Sequence, residues 1–269
     1  VKDSKKLNYK LLEINNNFKP NLILLGHADQ IEINTLKKIK KIHPSIKISQ
    51  WFLDRMDEEW KNNKARFVHK VDILDANFCT TNPKEINLKD KNFFYLPNPV
   101  DDSLDNYKIF LNRNTNNDIF FAMSHGVHRG VLKKGKIDKR SILINKLIKD
   151  LPNLKFSIFG LNKIEPVWSD NYLKNLNNSK IGLNISQGTP GKFYTSDRFA
   201  QLIGNGILVF IHEKTKIGKF FNKDEIITYK NYNDLKQKLN YYSINDIKRK
   251  KISKNGQRKY FKYFNSKII

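Results

Sequence analysis

With 269 residues and a mass of 31.7 kDa, the chain can hold one large domain or two ordinary ones. Its 39% hydrophobic and 12% aromatic content excludes a disordered chain, and no apolar run approaches the roughly 18 residues of a membrane span. Fifty Lys+Arg against 26 Asp+Glu leave a net charge of +24, which suits a polyanionic partner, an anionic membrane surface or a phosphorylated substrate. The chain is saturated with Lys, Asn and Ile, and its lysines are spread along the whole length. The charge therefore reads as a solvated basic surface, and no nucleic-acid partner is expected. Cys79 is the sole cysteine, which excludes a disulfide framework and a Cys-based zinc site, and a cytoplasmic setting is expected. The opening VKDSKKLNYKLLEINNN has no apolar h-region and is not read as a signal peptide; lacking an initiator Met, the chain is expected to be a trimmed or partial product.

In chain order, the patterning predicts a helix over Lys5 to Asn17, a strand over Asn21 to Leu25, a helix over Ile33 to Ile42, and a strand over Ile46 to Leu53. A polar helix DEEWKNNKARF and short strands at ANFCTT and NFFYLPNP follow. The runs LILL and IKISQWFL are short, continuous and bounded by Pro, Gly and Asp, as parallel strands buried on both faces require. Residues 101–117 are polar and Asn-rich and are expected to be an interdomain linker between an acceptor-side domain, 1–100, and a second domain, 118–243. That domain alternates strand and helix: DIFFAMS, then KRSILINKLIKDL with Leu143, Leu147 and Leu151 spaced by four, KFSIFG, NYLKNL, KIGLNIS, SDRFAQLIG and ILVFI. After IITYK come the helix NDLKQKLNYY and a closing basic helix in 244–269. The fold class expected is α/β, two Rossmann-like domains facing across a cleft, the first of them short. Nine of the twelve glycines lie between Gly126 and Gly206, so the second domain should supply the ligand loops.

Three segments carry candidate chemistry. SHGVHRGVLKKGKIDKR, between a strand and a helix, offers backbone N–H groups, a helix dipole and the side chains of His125, Arg129 and Lys133 to a diphosphate, although composition alone also permits a plain surface loop. It is neither a G-x-x-x-x-G-K-[ST] nor a G-x-G-x-x-G motif. SQGTPGKFYTSDRFAQLIGNGILVFI runs from strand end through a Gly/Pro loop into a helix that Thr195 or Ser196 should cap, placing Asp197, Arg198 and Gln201 at the mouth of the sheet. In the first domain, LLGHADQ puts His27 just past a buried strand, with Asp29 as an alternative N-cap. WFLDRMDEEW puts Asp54 at a strand end, where it could deprotonate an acceptor hydroxyl or simply open a helix. His43, His69 and His212 have no metal-ligand spacing, no D-x-D stands in a convincing loop, and no metal is expected.

The order S-D-R-x-x-Q-x-x-x-x-G followed by an apolar strand resembles the donor-binding helix of GT-B glycosyltransferases, in particular the spore-maturation-protein-like group with its R-x-F-E-x-x-x-x-G-G pattern. FFAMS with its basic loop, FSIFG, and the tail from DEIITYK to the Gly256-Gln257-Arg258 step are similar to the same family, over roughly Asp118 to the end. The resemblance implies a glycosyltransferase that moves a sugar from a nucleotide donor to a hydroxyl acceptor, a growing surface glycan or its lipid-linked precursor, without a cofactor. It places Arg198 on the donor diphosphate, Gln201 on the ribose, Gly188, Thr189 and Gly191 near the sugar, Arg129 and Lys133 opposite the leaving diphosphate, and His27 at the donor sugar or acceptor hydroxyl. Gln201 stands where the family carries Glu, and the first half is shorter than a complete acceptor domain. Two other classes compete: a basic nucleic-acid binder, for which only KRKKISKNGQRKYFKYF has the composition, and a non-catalytic sugar-nucleotide-binding relative. In the closing helix Arg249, Lys250, Lys254, Arg258 and Lys262 are expected to form a free basic face, a weak contact for an anionic inner membrane leaflet, with Ile252, Tyr260, Phe261 and Phe264 packed.

Overall fold

The computed structural model describes residues 2–88, 92–123 and 137–268. The chain divides into a unit of Val1–Pro97 and a unit of Asn98–Ile269.

The first unit alternates helix and strand as α1 (Lys2–Phe18), β1 (Leu22–Leu25), α2 (Ile33–Ile42), β2 (Lys47–Phe52), α3 (Lys61–Val68), β3 (Ala76–Cys79) and β4 (Phe93–Tyr95). The predicted polar helix is a 3-10 turn, Glu58–Trp60, running into α3. The sheet is parallel throughout, in the order β1-β2-β3-β4. Successive right-handed crossovers that all step the same way put every connecting helix on one face. Leu25, Ile48, Leu36 and Ile39 form one core there, with Leu11 and Leu12 of α1 against it; Phe52, Phe67 and Cys79 form another. The opposite face carries Leu22, Leu24 and Phe94, all substantially exposed. Burial pushes the Cys79 thiol up to about 12, so it packs as a small apolar group and not as a nucleophile.

The second unit contains β5 (Asn117–Ala122), α4 (Lys139–Asp150), β6 (Phe156–Phe159), α5 (Ser169–Asn177), β7 (Ser179–Asn184), α6 (Asp197–Gly204), β8 (Leu208–His212), β9 (Ile227–Tyr229), α7 (Tyr232–Ile244) and α8 (Asp246–Phe264). Its parallel sheet has the order β6-β5-β7-β8-β9. The chain steps from β5 to β6 in one direction and returns past β5 to β7 in the other, so the helices divide between two faces. Alternate residues of β5 show the division: Ile119 and Phe121 join Ile144 and Leu147 of α4 and Leu235 of α7, whereas Phe120 and Ala122 join Leu176 of α5 and Phe199 of α6. Helix α8 serves both layers, through Ile252 and Tyr260. Gly182 on β7 lets α6 approach closely, since a Cβ there would lie 2.6 Å from a Leu202 methyl.

Two expectations change here. Residues 101–117, expected as a linker, are part of the second unit: Ile109 and Phe110 are buried, the Ile109 amide donates to the Asn205 carbonyl at 2.9 Å, and the Asn205 amide donates to Asp105 at 2.9 Å. Arg249, expected on the free basic face of α8, is fully buried; it pairs with Asp246 at 3.0 Å and its guanidinium donates to the Lys180 carbonyl at 3.5 Å. Lys254, Arg258 and Lys262 are exposed, and Lys250 is half-buried with its amine 3.7 Å from Asp246.

Candidate functional site

In a doubly wound sheet, ligands collect beyond the carboxyl ends of the strands where the winding reverses. In the second unit that point lies between β5 and β7, and Arg198 spans it. From the first turn of α6 its Nε donates to the Ala122 carbonyl at the end of β5 and its Nη1 to the Ile185 carbonyl just past β7, each at 2.9 Å. The guanidinium carbon stands 5.5 Å from the centre of the Phe121 ring. No carboxylate pairs with it among the described residues. Burial, and after it the nearby Arg140 guanidinium, pull the Arg198 pKa below the ordinary arginine value. A cation so placed lacks a counter-charge.

Arg140 is the contrast. It is buried against Asp138, which N-caps α4 and takes hydrogen bonds from the Arg140 amide at 2.8 Å and from Nη2 at 2.6 Å. Its charge is already met, and Arg198 is the guanidinium left for an anion.

The N-terminus of α6 adds to this. Ser196 occupies the N-cap position, as expected for Thr195 or Ser196, but makes no side-chain capping bond; its hydroxyl turns to Asn184 at 3.4 Å. The Thr195 hydroxyl is buried with no hydrogen-bond partner. The leading amides of α6 thus have no side-chain cap, which is the arrangement that favours an anion. Gln201 lies one turn further on and is partly exposed. In the loop after β7, Gly188 and Thr189 are exposed and Gly191 is buried; Gly188 has φ +73°, a value that suits glycine. A cavity of about 230 Å³ opens beside this loop, between the start of α4 and the start of α7, lined among others by Asn184, Gly188, His212, Tyr229 and Tyr232. The donor-side calls on His125, Arg129 and Lys133 lie outside the described residues.

In the first unit, the carboxyl ends of β1 and β2 bring His27 and Asp54 together, with the imidazole Nδ1 3.9 Å from Asp54 Oδ2. Asp29 does not cap α2, whose N-cap residue is Glu32. It accepts from Arg66 of α3 at 2.5 and 3.0 Å, and Arg66 also reaches Asp54 at 3.4 Å. That hydrogen bond from Arg66 holds the Asp29 carboxyl below its ordinary range. Asp57 forms an ion pair with the buried Arg55 and caps a 3-10 turn, a structural role. Arg66 and Lys70 were not among the residues expected at a site: Arg66 lies on the polar helix α3 and Lys70 four residues later, just past its end. His212, expected to be surface or structural, caps a 3-10 turn with Nδ1 accepting from the Lys214 amide at 3.1 Å, and it also lines the cavity. Among the described residues no group of His, Cys, Asp or Glu is arranged to hold a metal ion, and no helix is long and apolar enough to cross a membrane.

Two parallel α/β units, the second doubly wound with an arginine at its switch point that no carboxylate pairs among the described residues, define the class: the chain has the GT-B fold of glycosyltransferases. Residues 139–267 match the glycosyl transferase-like family. Among solved structures, the chain is similar to Anabaena Alr3699/HepE in complex with UDP and glucose, at a TM-score of 0.65 and 11% identity, covering 97% of this chain and 77% of that one. It is likewise similar to a glycosyltransferase from Rickettsia africae, with TM-score 0.62, 10% identity and coverage of 97% and 77%. Sucrose-phosphate synthase from Thermosynechococcus elongatus gives 0.60, 11%, 98% and 74%. No curated protein matches the sequence.

Proposed function

We propose that the protein transfers a sugar from a nucleoside-diphosphate donor to a hydroxyl acceptor. The carrying observation is Arg198, a half-buried guanidinium fixed by two strand-end carbonyls and with no carboxylate partner among the described residues, beside an α6 N-terminus that no described side chain caps. In this reading the bond from the anomeric carbon to the diphosphate oxygen breaks, a bond to the acceptor oxygen forms, and the acceptor proton passes to a base. Negative charge grows on the departing diphosphate, where Arg198 and the α6 amides would stabilise it from fixed positions. Gln201 would meet the ribose hydroxyls, Gly188, Thr189 and Gly191 would border the sugar, and His27, backed by Asp54, would take the proton. Such a substitution changes no oxidation state, so the reading assigns no cofactor.

The similarity to a structure holding UDP and glucose, and to S. aureus TarM in complex with UDP and alpha-GlcNAc-glycerol, supports a uridine-type donor carrying a hexose and a glycan-like acceptor. The proposed acceptor is a surface glycan or its lipid-linked precursor, reached from the cytoplasmic face, and the exposed Lys254, Arg258 and Lys262 of α8 favour weak attraction to an anionic leaflet. Calorimetric titration with UDP tests the donor half: binding should be measurable in the wild type and lost or strongly reduced in Arg198→Ala, and a wild type that binds no nucleoside diphosphate would refute the reading.

A further inference from the structure

The carboxyl ends of β1 and β2 carry more charge than a His–Asp pair needs. Asp29 stands in the loop after β1, Asp54 in the loop after β2, Arg66 on α3 and Lys70 one turn further along the chain. Among the described residues, Arg66 is the single group seen to bond both carboxylates: Nε and Nη2 hold Asp29 at 3.0 and 2.5 Å, and Nη1 meets Asp54 Oδ2 at 3.4 Å. That same Oδ2 lies 3.9 Å from His27 Nδ1. The guanidinium is also located sideways, with its carbon 5.4 Å from the centre of the Phe52 ring, and the His27 ring lies against Phe52 at 6.0 Å. Lys70 is buried, lines the small pocket behind Gly26 and Asp29, and makes no hydrogen bond or ion pair among the described residues.

We infer that Arg66 is a positioning residue: it forks across Asp29 and Asp54, ties the two strand-end loops together, and keeps the Asp54 carboxylate facing Nδ1 of His27. At 3.9 Å the Asp54–His27 contact is too long for a hydrogen bond and acts through charge, so it exists only while something holds Asp54 there. Nothing else among the described residues does, since no other side chain is seen to bond the Asp54 carboxylate. A proton is then favoured on Nδ1, which leaves Nε2 as the acceptor for an incoming hydroxyl proton. Asp54 and Asp29 are the carboxylates near His27, and Arg66 and Lys70 are the cations beside Asp29. Two carboxylates and two cations balance there, so the site suits a neutral, hydroxyl-bearing ligand and not a polyanion. The inference rests on reading His27 as the acceptor-side base.

The test is a coupling measurement on the full chain. The ratio of Nδ1–H to Nε2–H in the neutral His27 ring is followed by nitrogen NMR of the imidazole at alkaline pH, assigned with His27→Gln, in wild type, Asp54→Asn, Arg66→Ala and the double variant. In wild type, Asp54→Asn should lower the ratio of Nδ1–H to Nε2–H by about twofold or more, the scale of a unit charge near 4 Å in a wet site. In the Arg66→Ala background the same change should shift it by less than half as much, because Asp54 is no longer held. Arg66→Lys, which keeps the charge but cannot fork across both carboxylates, should give an intermediate coupling and serves in place of Arg66→Ala if that variant does not fold. An Asp54→Asn shift equal in the presence and absence of Arg66, or no shift in wild type, would overturn the inference. Nucleotide binding at Arg198 is untouched by either outcome, so failure here and failure of the transferase reading are separable.

Discussion

Replacing Arg198 probes the donor site and the fold together, and the geometry separates the two. In Arg198→Ala the Ala122 and Ile185 carbonyls lose their 2.9 Å donors. Each bond contributes about 0.5–1.5 kcal/mol net, but the variant also removes a half-buried charge that no described carboxylate pairs, which offsets part of that loss. Global stability should therefore fall by only about 1–2 kcal/mol. The diphosphate loses a charge-assisted contact of about 1.5–3 kcal/mol, so UDP affinity should drop by at least about tenfold. Calorimetric titration at fixed, low salt measures the affinity, and urea denaturation of the same sample measures the stability. A folded variant that binds UDP as tightly as wild type would refute the assignment of Arg198 to the donor diphosphate.

Gln201→Glu restores the family's charged ribose ligand and should leave donor affinity unchanged or raise it; complete loss of binding would mean that α6 is oriented differently from the family's donor helix. Gly182→Ala places a methyl 2.6 Å from Leu202 Cδ2 and should destabilise the second unit by about 1–3 kcal/mol; denaturation midpoints equal to wild type would show that the β7–α6 contact has slack. Asp29 titrates below its ordinary value because Arg66 bonds its charged form, so its stabilisation is complete above the unfolded pKa and lost as pH falls through the folded one. Asp29→Asn should accordingly lose stability less steeply than wild type below about pH 4, and parallel acid-unfolding curves would contradict this. Burial lowers the Lys70 pKa, so its ammonium opposes folding at neutral pH, and Lys70→Met should raise stability by about 1 kcal/mol or more. That gain should shrink as pH rises through the folded pKa toward the unfolded one, and a neutral or destabilising effect at pH 7 would count against an unpaired buried charge.

The alternation of apolar runs with amphipathic segments was enough to locate both sheets, because β1, β5 and β8 carry short apolar runs each bounded on at least one side by Pro, Gly or Asn. Helix α6 was legible because S-D-R precedes an apolar stripe, and Arg198 could be singled out on that basis. What escaped were partnerships between distant residues. The segment 101–117 looks like a linker because it is Asn-rich, yet Ile109 and Phe110 anchor it to the second unit once Asn205 supplies hydrogen bonds from nearly 100 residues away. Arg249 fits a basic stripe at helical spacing, but the carbonyl that receives it belongs to Lys180 on β7. Asp29 reads as a helix cap until Arg66, 37 residues later, is folded against it. Ser196 took the expected cap position without the expected bond, which local propensity could not reveal because its hydroxyl finds Asn184.

The central claim is that the second unit holds a nucleoside diphosphate at the reversal of its sheet. A thermal-shift panel of nucleoside, nucleoside monophosphate, diphosphate and diphosphate-sugar tests it without knowledge of the acceptor. At ligand about 100 times Kd, binding adds about 2.7 kcal/mol of stability, which is several degrees in Tm for a unit of this size. The account predicts that shift for at least one diphosphate and its sugar, little for the nucleoside, and its loss in Arg198→Ala. No shift with any diphosphate, or an equal shift with nucleoside and diphosphate, would contradict it.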